Sequence, residues 1–377
     1  MSQARSWLLI AAAADRYGAD AMLVYVADHL RSSHVPVRVV LPQDGPLRAL
    51  IVERGIPHLV SPTLVVRKRL KAPAFLLGEV ARTPGRILAH LRLLARTPGG
   101  GVYVNTVTVP LWAVLARAMR RKTVIHVHEI LGGGSFAAVA VRKALYLQLF
   151  AAHRIICVSD AVRRDVVSAW PRLADRAVTL LNADFEEAER AEPISTSGGA
   201  RDLVVVGRLS PRKGQHLVLE AVLGMPDGER PTVALVGTVF PGYEWYEDDL
   251  RRTAGEAGLE VDFLGYLPKD EGFARGAIVV VPSTAPDPAP LVVIEALARG
   301  CLVIAARTGG IPELLGSEGF LFERGDADSL RECLERALAL SAAENRDLRL
   351  SALVRAGVLS ASAYWKSLDS VLSGLGR

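Results

Sequence analysis

Leu203-Val204-Val205-Val206-Gly207-Arg208-Leu209-Ser210-Pro211-Arg212-Lys213-Gly214-Gln215 reads as a strand, a basic loop and the start of a helix. Arg208, Arg212 and Lys213 beside a helix N-terminus make an anion site in two ways. The helix end presents free N–H groups, and the basic side chains add charge-assisted hydrogen bonds. The same alternation of short β-branched runs and longer amphipathic stretches continues outward, which is the mark of βαβ units and parallel sheets. Downstream, strands are expected at 203–207, 232–237, 261–265, 278–282 and 302–306, and helices at 215–223, 245–257, 291–299 and 329–340. Upstream, strands are expected at 7–13, 37–42, 101–105, 123–128, 154–158 and 178–181, and helices at 20–32, 47–54, 110–120, 136–152 and 159–169. Periodicity fails over 186–200, which reads as an interdomain linker. The division is therefore 1–187, a linker 188–200, 201–360, and a final amphipathic helix in 361–377. In open α/β sheets the ligand lies at loops on the C-terminal strand ends.

The 377 residues suit two or three domains. The three cysteines, Cys157, Cys301 and Cys333, have neither metal-type spacing nor an even framework, so a reducing compartment and no metal are expected. The start resembles a secretory signal, but its apolar run is short and Asp15-Arg16 follows, so a first buried strand fits better. No apolar run approaches about 18 residues, and no membrane span is expected. Charge is uneven. Residues 1–190 hold 26 Lys and Arg against 14 Asp and Glu, and residues 191–377 hold 19 against 26. The segment from Arg67 to Arg96, with Arg67, Lys68, Arg69 and Lys71 leading into leucines at helical spacing, suits an anionic membrane surface. The same pattern also fits a solvated face of an ordinary amphipathic helix. That segment has one Phe and no recognisable nucleic-acid module, so no nucleic acid is expected.

The stretch Pro286-Asp287-Pro288-Ala289-Pro290-Leu291-Val292-Val293-Ile294-Glu295-Ala296-Leu297-Ala298-Arg299-Gly300 carries two carboxylates separated by seven uncharged residues. Asp287 sits in a Pro-rich loop where helix is disfavoured, and Glu295 inside an apolar helical run. A carboxylate facing a core needs a polar partner, and a hydroxyl-rich ligand would serve. The alternative is a loop Asp and a helix Glu capped by a neighbouring Arg. Asp287 and Glu295 with this spacing, the Gly207-Arg208-Leu209 and Lys213-Gly214 element, and Gly309-Gly310-Ile311-Pro312-Glu313 together resemble the retaining family-4, group 1 glycosyltransferases of bacterial surface-polysaccharide type. The family has the GT-B fold, in which two Rossmann-like parallel-sheet domains face a central cleft.

The resemblance implies that Arg208 and Lys213 hold the donor diphosphate, with no metal and no other cofactor. It places Asp287 near the donor hexose, Glu295 near the ribose, and Leu291, Val292, Gly309, Gly310 and Gly18 around the donor. Two departures stand out: the first acid is usually Glu, and Pro290 lacks an N–H that the family usually offers. In the first domain, strand alternation puts His126 and His128 on one face. By resemblance His128 lies beside the donor sugar, and Asn105, His128 and Glu129 form an acceptor-binding set. The catalytic set is then His128, Asp287, Arg208 and Lys213. The expected activity is hexosyl transfer from a nucleotide sugar to a glycan or lipid-linked acceptor. The expected location is the cytoplasm, at the inner face of the cell membrane. A non-catalytic nucleotide-sugar-binding or membrane-docking subunit and a nucleotide-sugar epimerase are the competing readings.

Overall fold

The computed structural model describes residues 6–15, 18–66, 73–97, 99–133, 135–185, 193–195 and 201–376. It divides into two compact units, Met1–Leu180 with Trp365–Arg377, and Leu181–Tyr364. Arg67, Lys68, Arg69, Lys71 and most of the expected linker lie outside the described residues.

The first unit runs β1 (Trp7–Ile10), α1 (Gly18–Ser32), β2 (Val37–Leu41), α2 (Pro46–Glu53), β3 (His58–Val60), α3 (Pro73–Arg96), β4 (Gly101–Val104), α4 (Pro110–Ala118), β5 (Lys122–Val127), α5 (Phe136–Tyr146), β6 (Arg154–Cys157), α6 (Asp160–Ala169) and β7 (Ala177–Thr179). Its seven strands are parallel, in the order β3-β2-β1-β4-β5-β6-β7. The first strand is shorter than its apolar run and wholly buried, as expected of a parallel strand covered on both faces. The helix expected over 136–152 ends at Tyr146 and tightens into a 3-10 turn at Leu147–Ala151.

The second unit runs β8 (Arg201–Val206), α7 (Gln215–Leu223), β9 (Val233–Val236), α8 (Glu244–Glu256), β10 (Val261–Gly265), α9 (Lys269–Phe273), β11 (Gly276–Val281), α10 (Leu291–Ala298), β12 (Leu302–Ala306), α11 (Ile311–Leu315), β13 (Phe320–Phe322), α12 (Ala327–Leu338), α13 (Ala342–Val358) and α14 (Ala361–Ser373). Its six parallel strands follow the order β10-β9-β8-β11-β12-β13. One apolar core built on Leu203, Val205, Val218, Leu235, Val280 and Ile304 fills one side of that sheet.

The passage between units falls inside α14, at Tyr364 and Trp365. Trp365 stacks on His29 at 4.3 Å, and Asp369 Oδ1 lies 3.0 Å from His29 Nε2, both within the first unit. The described part of the linker is held on the second unit: Ile194 N donates to Arg299 O (2.8 Å) and Arg349 bonds Ile194 O. Five elements escaped the sequence pattern, among them the five-residue helices α9 and α11. β3 and β13 are three residues each, too short to show alternation. α13 buries only Ala352 fully, so it lacks a continuous apolar stripe, although Ser341 and Glu344 form its capping box.

Both sheets reverse strand order between their first and fourth strands, β1/β4 and β8/β11. Loops leaving the C-terminal ends there define the place where doubly wound folds bind ligands. Every residue of the candidate site leaves one of these sheets at a C-terminal strand end or in the following turn.

Candidate active site

In the second unit the site begins where β8 stops. Gly207 (φ 148°) lies against Gly237 (φ 143°), and a Cβ on Gly237 would come 2.1 Å from Gly207 O. The chain then turns through Arg208, whose guanidinium lies 4.7 Å over the Phe240 ring. The Arg208 carbonyl accepts from Gln215 Nε2 at 3.1 Å. A 3-10 turn, Pro211–Lys213, ends at Gly214 with φ 77°. A Cβ on Gly214 would sit 1.9 Å from Pro282 O, so only glycine lets the α7 N-terminus close on the end of β11. Thr284 fastens the turn, its N–H donating to Arg212 O (3.0 Å) and its hydroxyl to Pro211 O (2.8 Å).

That closure brings Lys213 Nζ to 2.9 Å from Asp287 Oδ2. Arg212 points outward and is exposed. The Asp287 backbone is clasped from the other side: Gly310 N donates to Asp287 O at 2.9 Å. Gly309 has φ 56°, and a Cβ there would lie 1.9 Å from Asp287 O. The close approach that the glycine pair permits is thus to the acid-bearing loop itself. Pro290 caps α10, and Leu291 and Val292, half-buried, form its first turn. One turn further, Glu295 pairs with Lys269 Nζ at 2.8 Å. Arg299 does not cap the Glu295 carboxylate; it donates to the Glu295 carbonyl (2.9 Å) and to Asp270 Oδ1 (2.8 Å). Both acids of the motif therefore meet a lysine, and Lys269 was missed by the sequence reading because it lies across a helix start from its partner.

Two further features were missed. Gln215 Oε1 and Ser283 Oγ are buried without a hydrogen-bond partner among the described residues, an acceptor and a hydroxyl beside the Lys213 turn. A pocket of about 590 Å³ lies at the ends of β9 and β10, lined by Gly237, Thr238, Val239, Arg251, Phe263 and Gly265 among others. Its sequence signal is a glycine with φ between +60° and +150° closing each strand, Gly237 and Gly265.

In the first unit the groups are mostly neutral. Gly18 opens α1. Gly45 packs its backbone on Ala14, where a Cβ would meet Ala14 O at 2.8 Å, and Leu47 N donates to that oxygen. Asn105, just past β4, donates from Nδ2 to Ala19 O (2.6 Å) and faces His128 Nε2 with Oδ1 (3.1 Å). Asn105 is thus the acceptor for His128, so Nε2 carries the hydrogen. Burial pushes the His128 imidazole down to about 3. Its ring lies 4.0 Å from that of His126, which is fully buried and hydrogen-bonded to Tyr103 Oη at 2.7 Å. His126 is a core residue; His128 is the one at the strand end. Glu129 accepts from the Thr106 hydroxyl and from His128 N (3.0 Å), and burial raises its pKa. Asp20, in the first turn of α1, is 8% exposed. Desolvation, then the nearby Asp15, push it up to about 7, while a hydrogen bond from Ala13 opposes them. Asp165, also missed, secures the loop after Glu129 through Leu131 N (3.0 Å), Arg142 (2.8 Å) and Tyr146 Oη (2.7 Å).

Residues 187–351 match the family described as Glycosyl transferases group 1, and residues 17–183 match Glycosyltransferase Family 4. A phosphatidylinositol N-acetylglucosaminyltransferase gpi3 subunit of Schizosaccharomyces pombe is 28% identical over 228 residues, 59% of this chain and 49% of that protein. The O-antigen chain mannosyltransferase B of Escherichia coli is 26% identical over 207 residues, 50% of this chain and 52% of that one. The chain thus spans about half the length of these curated relatives. Among solved structures, Anabaena HepE in complex with UDP superposes with a TM-score of 0.78 over 98% of this chain and 100% of that chain at 23% identity. No described helix is long and apolar enough to cross a membrane. With both units matched in sequence and the whole fold shared with solved GT-B enzymes, the chain belongs to the group 1, family 4 glycosyltransferases.

Proposed function

We propose that the chain transfers a hexose from a nucleoside-diphosphate sugar to a hydroxyl of a glycan or lipid-linked acceptor, with retention at the anomeric carbon, in synthesis of a bacterial surface polysaccharide. The observation that carries this reading is the Lys213–Asp287 pair at 2.9 Å, a cation and a carboxylate fixed by two glycine turns at one strand end. A donor diphosphate is the stronger partner for Lys213, and its arrival leaves Asp287 to accept hydrogen bonds from hexose hydroxyls. Arg208 and Lys213 stabilise the leaving diphosphate as the C1–O bond breaks, in place of a metal ion. The acceptor oxygen bonds to C1 on the face the diphosphate leaves, and its proton passes to a diphosphate oxygen. Neutral His128, whose Nε2–H is given to Asn105, presents Nδ1 as a hydrogen-bond acceptor to a sugar hydroxyl and does not take that proton. Glu295 and Lys269 are assigned to the ribose, and the pocket at the ends of β9 and β10 to the base. The UDP-glucose complex of HepE supports a nucleotide-sugar donor. The O-antigen and phosphatidylinositol relatives support an acceptor carried on a polysaccharide or lipid. Work in the cytoplasm, at the inner membrane face, follows from such an acceptor.

The test is a donor panel followed by transfer to a lipid-linked glycan extract, with product anomers read by NMR and chelator present. Asp287→Asn is expected to abolish turnover while nucleoside diphosphate still binds, and Glu295→Gln to weaken nucleotide binding. Donor binding without transfer would make the chain a non-catalytic subunit. Turnover of nucleotide sugar without acceptor would make it an epimerase.

A further inference from the structure

The N-terminal ends of the first unit's strands, opposite to those bearing Asn105 and His128, enclose a second cavity. It has a volume of about 700 Å³, in the range of small-molecule sites. Its walls are the starts of β1, β4 and β5 and the turn before β2, and α14 with Leu375 closes it. One wall is the consecutive triplet Arg120, Arg121 and Lys122; Trp7, Leu30 and Leu372 supply apolar surface. The carboxylate present, Asp369, is engaged with His29 at 3.0 Å.

Arg121 shows that the site is built for charge. Its side chain is buried, with the residue 9% exposed. Nε donates to Gly100 O (2.7 Å) and Nη1 to Leu94 O (3.0 Å) and Thr97 O. These are carbonyls; among the described residues no carboxylate pairs with it, and Nη2 has no hydrogen-bond partner. Burial lowers its pKa, the mark of a cation without an anion. The cavity wall is also made by two helix ends. Among the described residues just two outside glycine have positive φ, His34 (58°) and Arg120 (57°), and both line this cavity. Each closes a helix in the left-handed conformation: Val35 N donates to Leu30 O after α1, and Arg121 N to Ala116 O after α4. Gly100 and Gly101 complete the wall: a Cβ on Gly100 would meet Ser6 O at 1.1 Å, and one on Gly101 the Trp7 ring at 2.5 Å.

We propose that this cavity binds a soluble phosphomonoester with an apolar or ring-shaped body, the phosphate on Arg120, Arg121 and Lys122 and the body against Trp7 and Leu30. The occupant also touches α14, the segment in which the chain passes between the units, so binding should quiet exchange of its amides.

The probes are 1-naphthyl phosphate, inorganic phosphate and vesicles containing phosphatidic acid, titrated calorimetrically into the full chain. Lys213→Ala is titrated beside the wild type and carries the further variants, because the donor site also attracts phosphate. Naphthyl phosphate is expected to bind, and Arg120→Gly with Lys122→Ser to weaken it at least tenfold. Hydrogen exchange should slow over residues 365–376 on binding. Arg120→Gly also removes a strained φ, so that single variant should melt no lower than its parent, separating lost binding from lost folding. Unchanged affinity in the double variant would overturn the proposal. Equal affinity for inorganic phosphate would remove the apolar contact, and a response to vesicles alone would exclude a soluble ligand. Binding seen with Lys213 present and lost in Lys213→Ala would assign it to the donor site.

Discussion

The candidate residues fall into two sets of opposite electrostatics, a charged half in the second unit and a neutral half in the first. In the second unit Lys213 and Asp287, and Lys269 and Glu295, are ion pairs with lysines more than a third exposed. In the first unit burial suppresses charge: His128 is held neutral, and Asp20 and Glu129 are pushed toward their protonated forms. A diphosphate needs formal positive charge, and a ligand can displace a partly solvated ion pair at small cost. Sugar hydroxyls are read by neutral donors and acceptors held in fixed geometry. On the proposed function, phosphate falls to the charged half and hydroxyl chemistry to the neutral half.

The largest expected effect breaks the charged half. Lys213→Ala and Arg208→Ala should each cost about 2–5 kcal/mol of nucleoside-diphosphate affinity, read by calorimetry. In both, the melting temperature should stay within a few degrees of wild type. Equal affinity in both variants would remove the diphosphate from this turn.

Next comes Gly309→Ala. Its methyl would fall 1.9 Å from Asp287 O at φ 56°, so the turn must move, at about 3 kcal/mol. Denaturant unfolding should show that loss, and turnover should fall with it because Asp287 shifts. Stability lost with turnover intact would separate the glycine turn from the acid's placement.

The neutral half is sharpened by pH. Asp20 holds its proton in the folded protein up to about 7, against 3.8 for a free aspartate side chain. The unfolded chain releases that proton first, so stability is fully present below about 4 and is lost as pH rises toward 7. Asp20→Asn should then stabilise the protein by about 2 kcal/mol at pH 8, with the gain vanishing near pH 4. His128 has the opposite sign. Its imidazole, held down to about 3 against 6.5, leaves stability intact above about 6.5 and erodes it as pH falls. His128→Asn should flatten the acid limb of the same melting profile. A gain from Asp20→Asn that is constant across pH would mean packing, rather than ionisation, is responsible.

The charged half was legible in the sequence because its residues cluster within single loops. Arg208 to Gly214 is one continuous turn, and Asp287 to Glu295 one loop and helix. The pattern placed Asp287 in a Pro-rich loop and Glu295 in the helix that follows, and the glycines with positive φ were visible as glycines. The neutral half is assembled across β1, β4 and β5, so Asn105 meets His128 through register rather than spacing. Asp20 stands in the first turn of a helix, and its burial depends on neighbours that no local pattern names. Lys269 was hidden for the same reason. The domain break was placed by composition at 187, whereas the compact units divide after Leu180 and inside α14, since residues ahead of the change in periodicity already pack with the second unit, as Asn182 Nδ2 does in donating to Ala289 O.

The smallest effect concerns the basic surface of the first unit. α3 is anchored as an ordinary amphipathic helix: His90 stacks on Trp112 at 3.9 Å, Leu94 is buried, and Arg86 is bound to Glu79 at 2.6 Å. Arg82, Arg92 and Arg96 remain exposed, as does Leu88. Anionic lipid attracts each such arginine by about 1 kcal/mol, less as salt rises. Residues 191–377, with 19 basic and 26 acidic side chains, should be repelled by the same surface. Co-sedimentation with anionic vesicles at low salt is therefore expected of the wild type. Arg82→Ser, Arg92→Ser and Arg96→Ser should each weaken it about fivefold, as should Ser at Arg67, Lys68, Arg69 or Lys71. Arg86→Ser is the control, because removing the Glu79 partner lowers the melting temperature and leaves less charge available to lipid than its sequence position suggests. If the wild type stays in solution with these vesicles, the basic face only solvates α3, and the peripheral-membrane reading fails.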